Sequence, residues 1–282
     1  MTSCLKKDPF PQFRSLCENG DIDEALHRLK CIHSQGVLIP IRSLFQLVRS
    51  CLLKKDYLIG QKIQILIHEC GFASNAFLAS HLIHMFAALG SLSDTKYVFS
   101  RLFREEQTVF SWTAILSAYV KLGKHKDASE LYGRMLTTYL LPDRHVFTAM
   151  LKACICRDTL HYGRQIHSHI IEFGLDTDRV VGNTLVAMYI RNEGITDSHR
   201  VFTSLTEKDV VSWNAIISGY AHNKLVDSAL HSFVEMYSCN LEPTTITFAS
   251  VLKACANDCL RGEGMHIHDI TVKSCLEQDP FV

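Results

Sequence analysis

Residues 109–119 read VFSWTAILSAY and residues 210–220 read VVSWNAIISGY, agreeing at seven of eleven positions across a spacing of 101 residues. A fixed spacing between like segments means that one supersecondary unit is built more than once. The spacing subdivides. RHVFTAMLKAC opens at Arg144 and TITFASVLKAC opens 101 residues later at Thr245. A third segment, RVVGNTLVAMY at 179–189, answers AFLASHLIHMF at 76–86, with Met188 matching Met85 and, further on, Val201-Phe202 matching Val98-Phe99. The chain therefore parses into units 6–40, 41–75, 76–108, 109–143, 144–178, 179–209, 210–244 and 245–279, with 280–282 opening a ninth that is cut short.

Each unit carries two short amphipathic patterns. In 109–143, Trp112, Ile115, Leu116 and Tyr119 fall at i, i+3, i+4 and i+7, Gly123 interrupts, and Ala128, Leu131, Tyr132 and Met135 form a second apolar stripe. Helix pairs this short cannot bury their own apolar face, so neighbours must stack. The expected fold is all-α: a right-handed superhelical α-solenoid of about sixteen helices in eight pairs. Trp112, Trp213, Tyr119 and Tyr220 lie on the apolar stripe, so core packing is expected of them rather than an open stacking surface.

Other features bound the function. Lys+Arg and Asp+Glu stand at 29 each, so any polyanion-binding surface must come from local segregation of charge. Eleven cysteines include no CxxC pair, and Cys51, Cys154 and Cys255 sit in similar contexts, as buried thiols would. The histidines of QIHSH (165–169) and MHIHD (265–269) are spaced i, i+2, which does not share a helix face, so no metal site is expected. No Gly-rich phosphate loop or nucleophile elbow occurs, so neither catalysis nor a cofactor or small-molecule substrate is expected. The N-terminal residues show no signal or transit peptide, and no apolar run is long enough to span a membrane.

The segments VVSWNAIISGY, VLKACA, GRQIHSHII, LVAMY and SHRVF, with unit lengths of 35, 35 and 31, resemble pentatricopeptide repeat proteins of the plant PLS subclass. No HxE…PCxxC pattern is present, so the chain looks like a truncated or fragmentary member without the E/DYW deaminase region. The resemblance implies single-stranded RNA binding at one base per repeat, in a mitochondrion or chloroplast. It further implies a specificity role in C-to-U editing, with a deaminase or other editing protein as partner. A protein-binding scaffold is the alternative.

The fifth residue of a unit and its last residue would read the base. Thr113 with Asp143 implies G, Asn183 with Asp209 implies U, Asn214 with Thr244 a pyrimidine, and Ser80 with Thr108 a purine. Phe45, Thr148 and Ala249, at the same place in the other units, are left unread. Phe110, Val180 and Val211, second in their units, would clamp bases. Helix capping is the competing role for the Asn, Thr and Asp residues, and plain packing for the clamp residues.

Overall fold

The computed structural model describes residues 10–154 and 159–257, together with positions 262, 264, 265, 267, 268 and 271. Among these residues fifteen α-helices and one 3₁₀ turn run unbroken, and no β-strand occurs. They run α1 Pro11–Asn19, α2 Ile22–Ser34, α3 Ile41–Lys54, α4 Tyr57–Glu69, α5 Ala76–Ala88, α6 Leu92–Ser100, α7 Val109–Lys121, α8 His125–Leu136, α9 Arg144–Ala153, α10 Leu160–Glu172, α11 Arg179–Arg191, α12 Ile195–Ser204, α13 Val210–His222, α14 Val226–Ser238 and α15 Thr245–Asn257. Positions 262, 264, 265, 267, 268 and 271, where the sixteenth helix is expected, are helical as well. The 3₁₀ turn at Arg104–Glu106 takes up the extra length between α6 and α7.

Odd-numbered helices are the first of each pair and even-numbered helices the second. The chain divides into two compact units after Ala149, within α9. In the first unit α3 packs on α5 and α5 on α7; in the second, α11 packs on α13 and α13 on α15. Each unit is thus a stack of helix pairs, an α-solenoid.

Local chemistry explains where the helices start and stop. Thr108 caps α7 and Asp209 caps α13. In both, the third helical residue, Ser111 or Ser212, returns the bond to the cap's backbone N–H. The repeated serine before tryptophan is therefore a capping partner. Between paired helices the chain turns through one left-handed residue, Gly90 or Gly123 in the first unit and Glu193 or Lys224 in the second.

The repeat is carried into packing geometry. Trp112 is 3% exposed and Trp213 4%, both in the core as expected. Each sits edge-on to a phenylalanine of the preceding second helix: Phe99–Trp112 at 5.0 Å and 72°, Phe202–Trp213 at 4.8 Å and 72°. Such pairs contribute about 0.5–1.5 kcal/mol beyond their buried area. Cys51, Cys154 and Cys255 are buried, also as expected.

Where the copies differ, packing compensates. A Cβ on Gly219 of α13 would stand 2.4 Å from Ile190 Cδ1 of α11. The corresponding residues of α7 and α5 are Ala118 and Ala87, both buried. A large–small pair in one copy thus replaces two small residues in the other. Gly219→Ala is expected to destabilise by about 1–3 kcal/mol through overpacking. Adding Ile190→Ala should recover much of that loss, and thermal denaturation of the single and double variants checks it.

Candidate nucleic-acid interface

First helices such as α5 and α13 are covered by their own partner and by their neighbours in the stack, which leaves one stripe facing solvent. In α11 the stripe runs Val180, Asn183, Thr184, Ala187, Arg191; in α13 it runs Val211, Asn214, Ala215, Ser218, His222. It opens on an exposed apolar residue, passes through small polar groups, and closes on a base. Phe110, Val180 and Val211 are 49%, 50% and 60% exposed. Phe77 and Ile246, which sequence reasoning passed over, occupy the same second position in α5 and α15 and are exposed too. Large apolar side chains left this open are free to meet a ligand.

Charge is segregated along the same helices. None of α3, α5, α7, α9, α11, α13 and α15 contains an Asp or Glu, while they carry Arg42, Arg49, Lys121, Lys152, Arg179, Arg191 and Lys253 among their bases. The neutral chain holds its helical acids on α1 and on second helices such as α2, α8 and α14. This segregation was readable from the helix sequences once the first helices were recognised.

The proposed reading residues differ in what they do. In α11, Asn183 Nδ2 donates to Asp209 Oδ1 at 3.2 Å. Asp209 Oδ1 also accepts from the Ser212 backbone N–H and hydroxyl, each at 2.9 Å, and its Oδ2 faces Arg179 Nε at 3.2 Å. A carboxylate only accepts, so this contact fixes the Asn183 amide with Nδ2 toward Asp209. Its Oδ1 is then a buried acceptor without a partner. The amide borders a cleft of about 350 Å³ lined by Lys152, Arg179, Val180, Asn183, Thr184, Ala187, Arg191, Asp209 and Val211. Two apolar walls, a fixed amide and three cations converge there.

In α13, Asn214 Nδ2 donates to Thr244 Oγ1 at 3.1 Å, and its Oδ1 accepts from the Thr247 hydroxyl. Both ends of this amide are occupied. Thr113 of α7 donates to the Val109 carbonyl at 2.8 Å, while Asp143 caps α9 by accepting from the His145 and Val146 backbone N–H groups, both at 2.9 Å. Thr108 is an exposed cap of α7.

Ser80 corrects the expectation placed on it. It is fully buried, with its hydroxyl donated to the Ala76 carbonyl at 2.7 Å, and it presents no polar group to solvent. A short hydroxyl in the middle of an apolar helix closes onto the preceding turn, a local bond that spacing alone does not reveal.

Among the described residues no group of three His, Cys, Asp or Glu side chains converges as a metal site would require, and no helix is long and apolar enough to cross a membrane. His167 Nδ1 lies 2.8 Å from the Tyr189 hydroxyl, and His199 Nδ1 lies 2.6 Å from that of Tyr220. These histidines tie a second helix to the next first helix.

Stacked helix pairs with one acid-free, solvent-facing stripe per first helix define a helical-repeat protein of the solenoid class. The PPR repeat family matches residues 107–156 and 208–257. Similar proteins include the chloroplastic pentatricopeptide repeat-containing protein DOT4 of Arabidopsis thaliana, 30% identical over 272 residues, which are 96% of this chain and 31% of DOT4. Another is the pentatricopeptide repeat-containing protein At2g33680 of the same plant, 32% identical over 240 residues, 85% of this chain and 33% of that protein. The chain spans about a third of the length of these relatives. Its fold matches the crystal structure of the pentatricopeptide repeat protein PPR10 in complex with an 18-nt psaJ RNA element, with TM-score 0.74 and 17% identity over 97% of this chain and 41% of PPR10. PPR10 from maize, in another crystal structure, matches with TM-score 0.65 and 20% identity over 96% and 40%. The chain belongs to the pentatricopeptide repeat family.

Burial raises the pKa of the Asp209 carboxyl, but hydrogen bonds from Ser212 and Asn183, helped by Arg179, outweigh it and hold the group below its ordinary value. A depressed carboxyl contributes stability above its unfolded-state pKa and loses it as pH falls through the folded value. The Asn183–Asp209–Arg179 arrangement should therefore persist through mildly acidic pH and come apart only below the ordinary aspartate range. An NMR titration of the Asp209 carboxyl checks this: its midpoint is expected below that of a free aspartate.

Proposed function

We propose that this chain is a non-catalytic, sequence-specific single-stranded RNA binder that addresses one base per repeat, each repeat being one of the units delimited by the sequence period. The observation that carries the reading is the unpartnered Asn183 Oδ1, on a residue that lines one cleft with Val180 and Val211. A buried acceptor without a donor costs about 1–3 kcal/mol, and a ligand that supplies the donor recovers it. Uracil offers the N3–H donor at its Watson–Crick edge, whereas cytosine presents a lone pair at N3. The apolar walls suit a base's faces, and Lys152, Arg179 and Arg191 suit its phosphates.

PPR10, whose fold this chain shares, was crystallised with RNA, which supports the same ligand class here. By the same reasoning Thr113 with Asp143 reads G, and Asn214 with Thr244 reads a pyrimidine at a site where Thr247 already competes for the amide. The sequence pattern of the PLS subclass extends the proposal to a specificity factor for C-to-U editing, working with a deaminase or other editing partner. Relatives named as chloroplastic and mitochondrial support action in an organelle.

Asn183→Thr leaves Asp209 in place and recreates the Thr113/Asp143 combination. The favoured base at that register is expected to move from U towards G, with other positions unchanged. A fitted hydrogen bond to a base is worth about 1–3 kcal/mol, so the preference should change by roughly tenfold or more. Affinities for four RNAs differing at that base, measured beside thermal stability, decide it. Retained preference for U would falsify the reading of this site. Binding that is neither saturable nor salt-sensitive would favour a protein scaffold instead.

A further inference from the structure

The buried Ser80 leaves the α5 stripe without the small polar group that α7, α11 and α13 carry. Aromatic rings stand there instead. The His81 imidazole lies 4.7 Å from the Phe77 ring and 5.7 Å from Phe110, between the two exposed second-position residues of α5 and α7. Phe45 of α3 closes the group, 4.6 Å from His81 and 5.3 Å from Phe77. Phe77 and Phe110 are about half exposed, and His81 and Phe45 are partly so. Four rings from three helices thus form a continuous aromatic surface where a reading position would otherwise lie.

The surroundings indicate what this surface takes. Arg42 and Arg49 share a face of α3 with Phe45, at i−3 and i+4, and both are exposed. No acid occurs on α3, α5 or α7. Burial holds His81 below its ordinary pKa, so at neutral pH it is an uncharged ring, suited to stack rather than to attract. Aromatic faces flanked by cations bind any nucleobase, because every base has a π-face.

We propose that the Phe45–Phe77–His81–Phe110 cluster is a stacking site for one nucleobase of single-stranded RNA that holds the base without selecting its identity. The α5 register would then be a neutral position within an otherwise selective array. This rests on the RNA-binding reading above, and it replaces the purine preference expected of Ser80.

The test uses the full chain and an RNA selected by it from a random pool. Each nucleotide is replaced in turn by the other three bases and by an abasic residue. One nucleotide is expected at which base identity changes affinity less than about twofold while the abasic residue weakens binding about tenfold. His81→Ala should weaken binding of the intact RNA about tenfold and remove the abasic penalty at that nucleotide alone. His81→Phe, which keeps a ring, should retain both affinity and indifference. Folding of each variant is followed by thermal denaturation, and the scan with the unaltered chain stands without them. Saturable binding in which every nucleotide that needs a base also selects it overturns this proposal alone. So does a folded His81→Ala variant with unchanged affinity. Failure of the unaltered chain to bind any RNA overturns the RNA-binding reading as well.

Discussion

A pair of helices twelve or thirteen residues long, such as α7 and α8, cannot close a core by itself. Its apolar stripes are wider than one partner can cover, so each pair depends on the next. The dependence is visible in Trp112 and Trp213, each seated on a phenylalanine from the preceding second helix. It is visible again in Gly219, whose missing side chain admits Ile190. Once a first helix is packed against its own partner and its stacked neighbours, only a narrow strip of it stays in water. The residues proposed to clamp bases, Phe110, Val180 and Val211, lie on that strip.

The capping role and the proposed reading role of the polar residues turn out to share atoms. Asp209 ends a loop, caps α13 through Ser212, and orients the Asn183 amide with the same carboxylate oxygen. Arg179 holds the other oxygen. The orientation of Asn183 is therefore set by a group that the next helix needs in order to start, which couples the geometry of one helix pair to the folding of its neighbour. The two roles compete only when each residue is considered alone.

Charge behaves similarly. A net charge of zero conceals a division between the first helices from α3 onward, which lack acids, and second helices that carry them. An acidic side chain on the exposed strip of a first helix would repel the proposed polyanionic ligand. On the second helices they face water elsewhere and offset the bases. Overall charge is a poor guide to binding when the fold sorts residues this cleanly onto separate surfaces.

The amino-acid sequence by itself determined the period, the pairing of short amphipathic helices and the burial of Trp112, Trp213 and the recurrent cysteines. These follow from apolar spacing and turn chemistry within about 35 residues. It also singled out Thr113, Asn183 and Asn214 as variable positions in a constant frame. Only the tertiary structure decided which of their polar atoms are still available. Asn183 keeps an unpartnered acceptor and Asn214 does not, because Thr247 of the following helix reaches one amide and no such hydroxyl reaches the other. Ser80 turns inward while four rings from α3, α5 and α7 gather beside it. The physical reason is that a side chain's free hydrogen-bonding capacity is what remains after its neighbours are satisfied, and those neighbours lie about thirty residues away in sequence, brought close only by the stacking of one pair on the next.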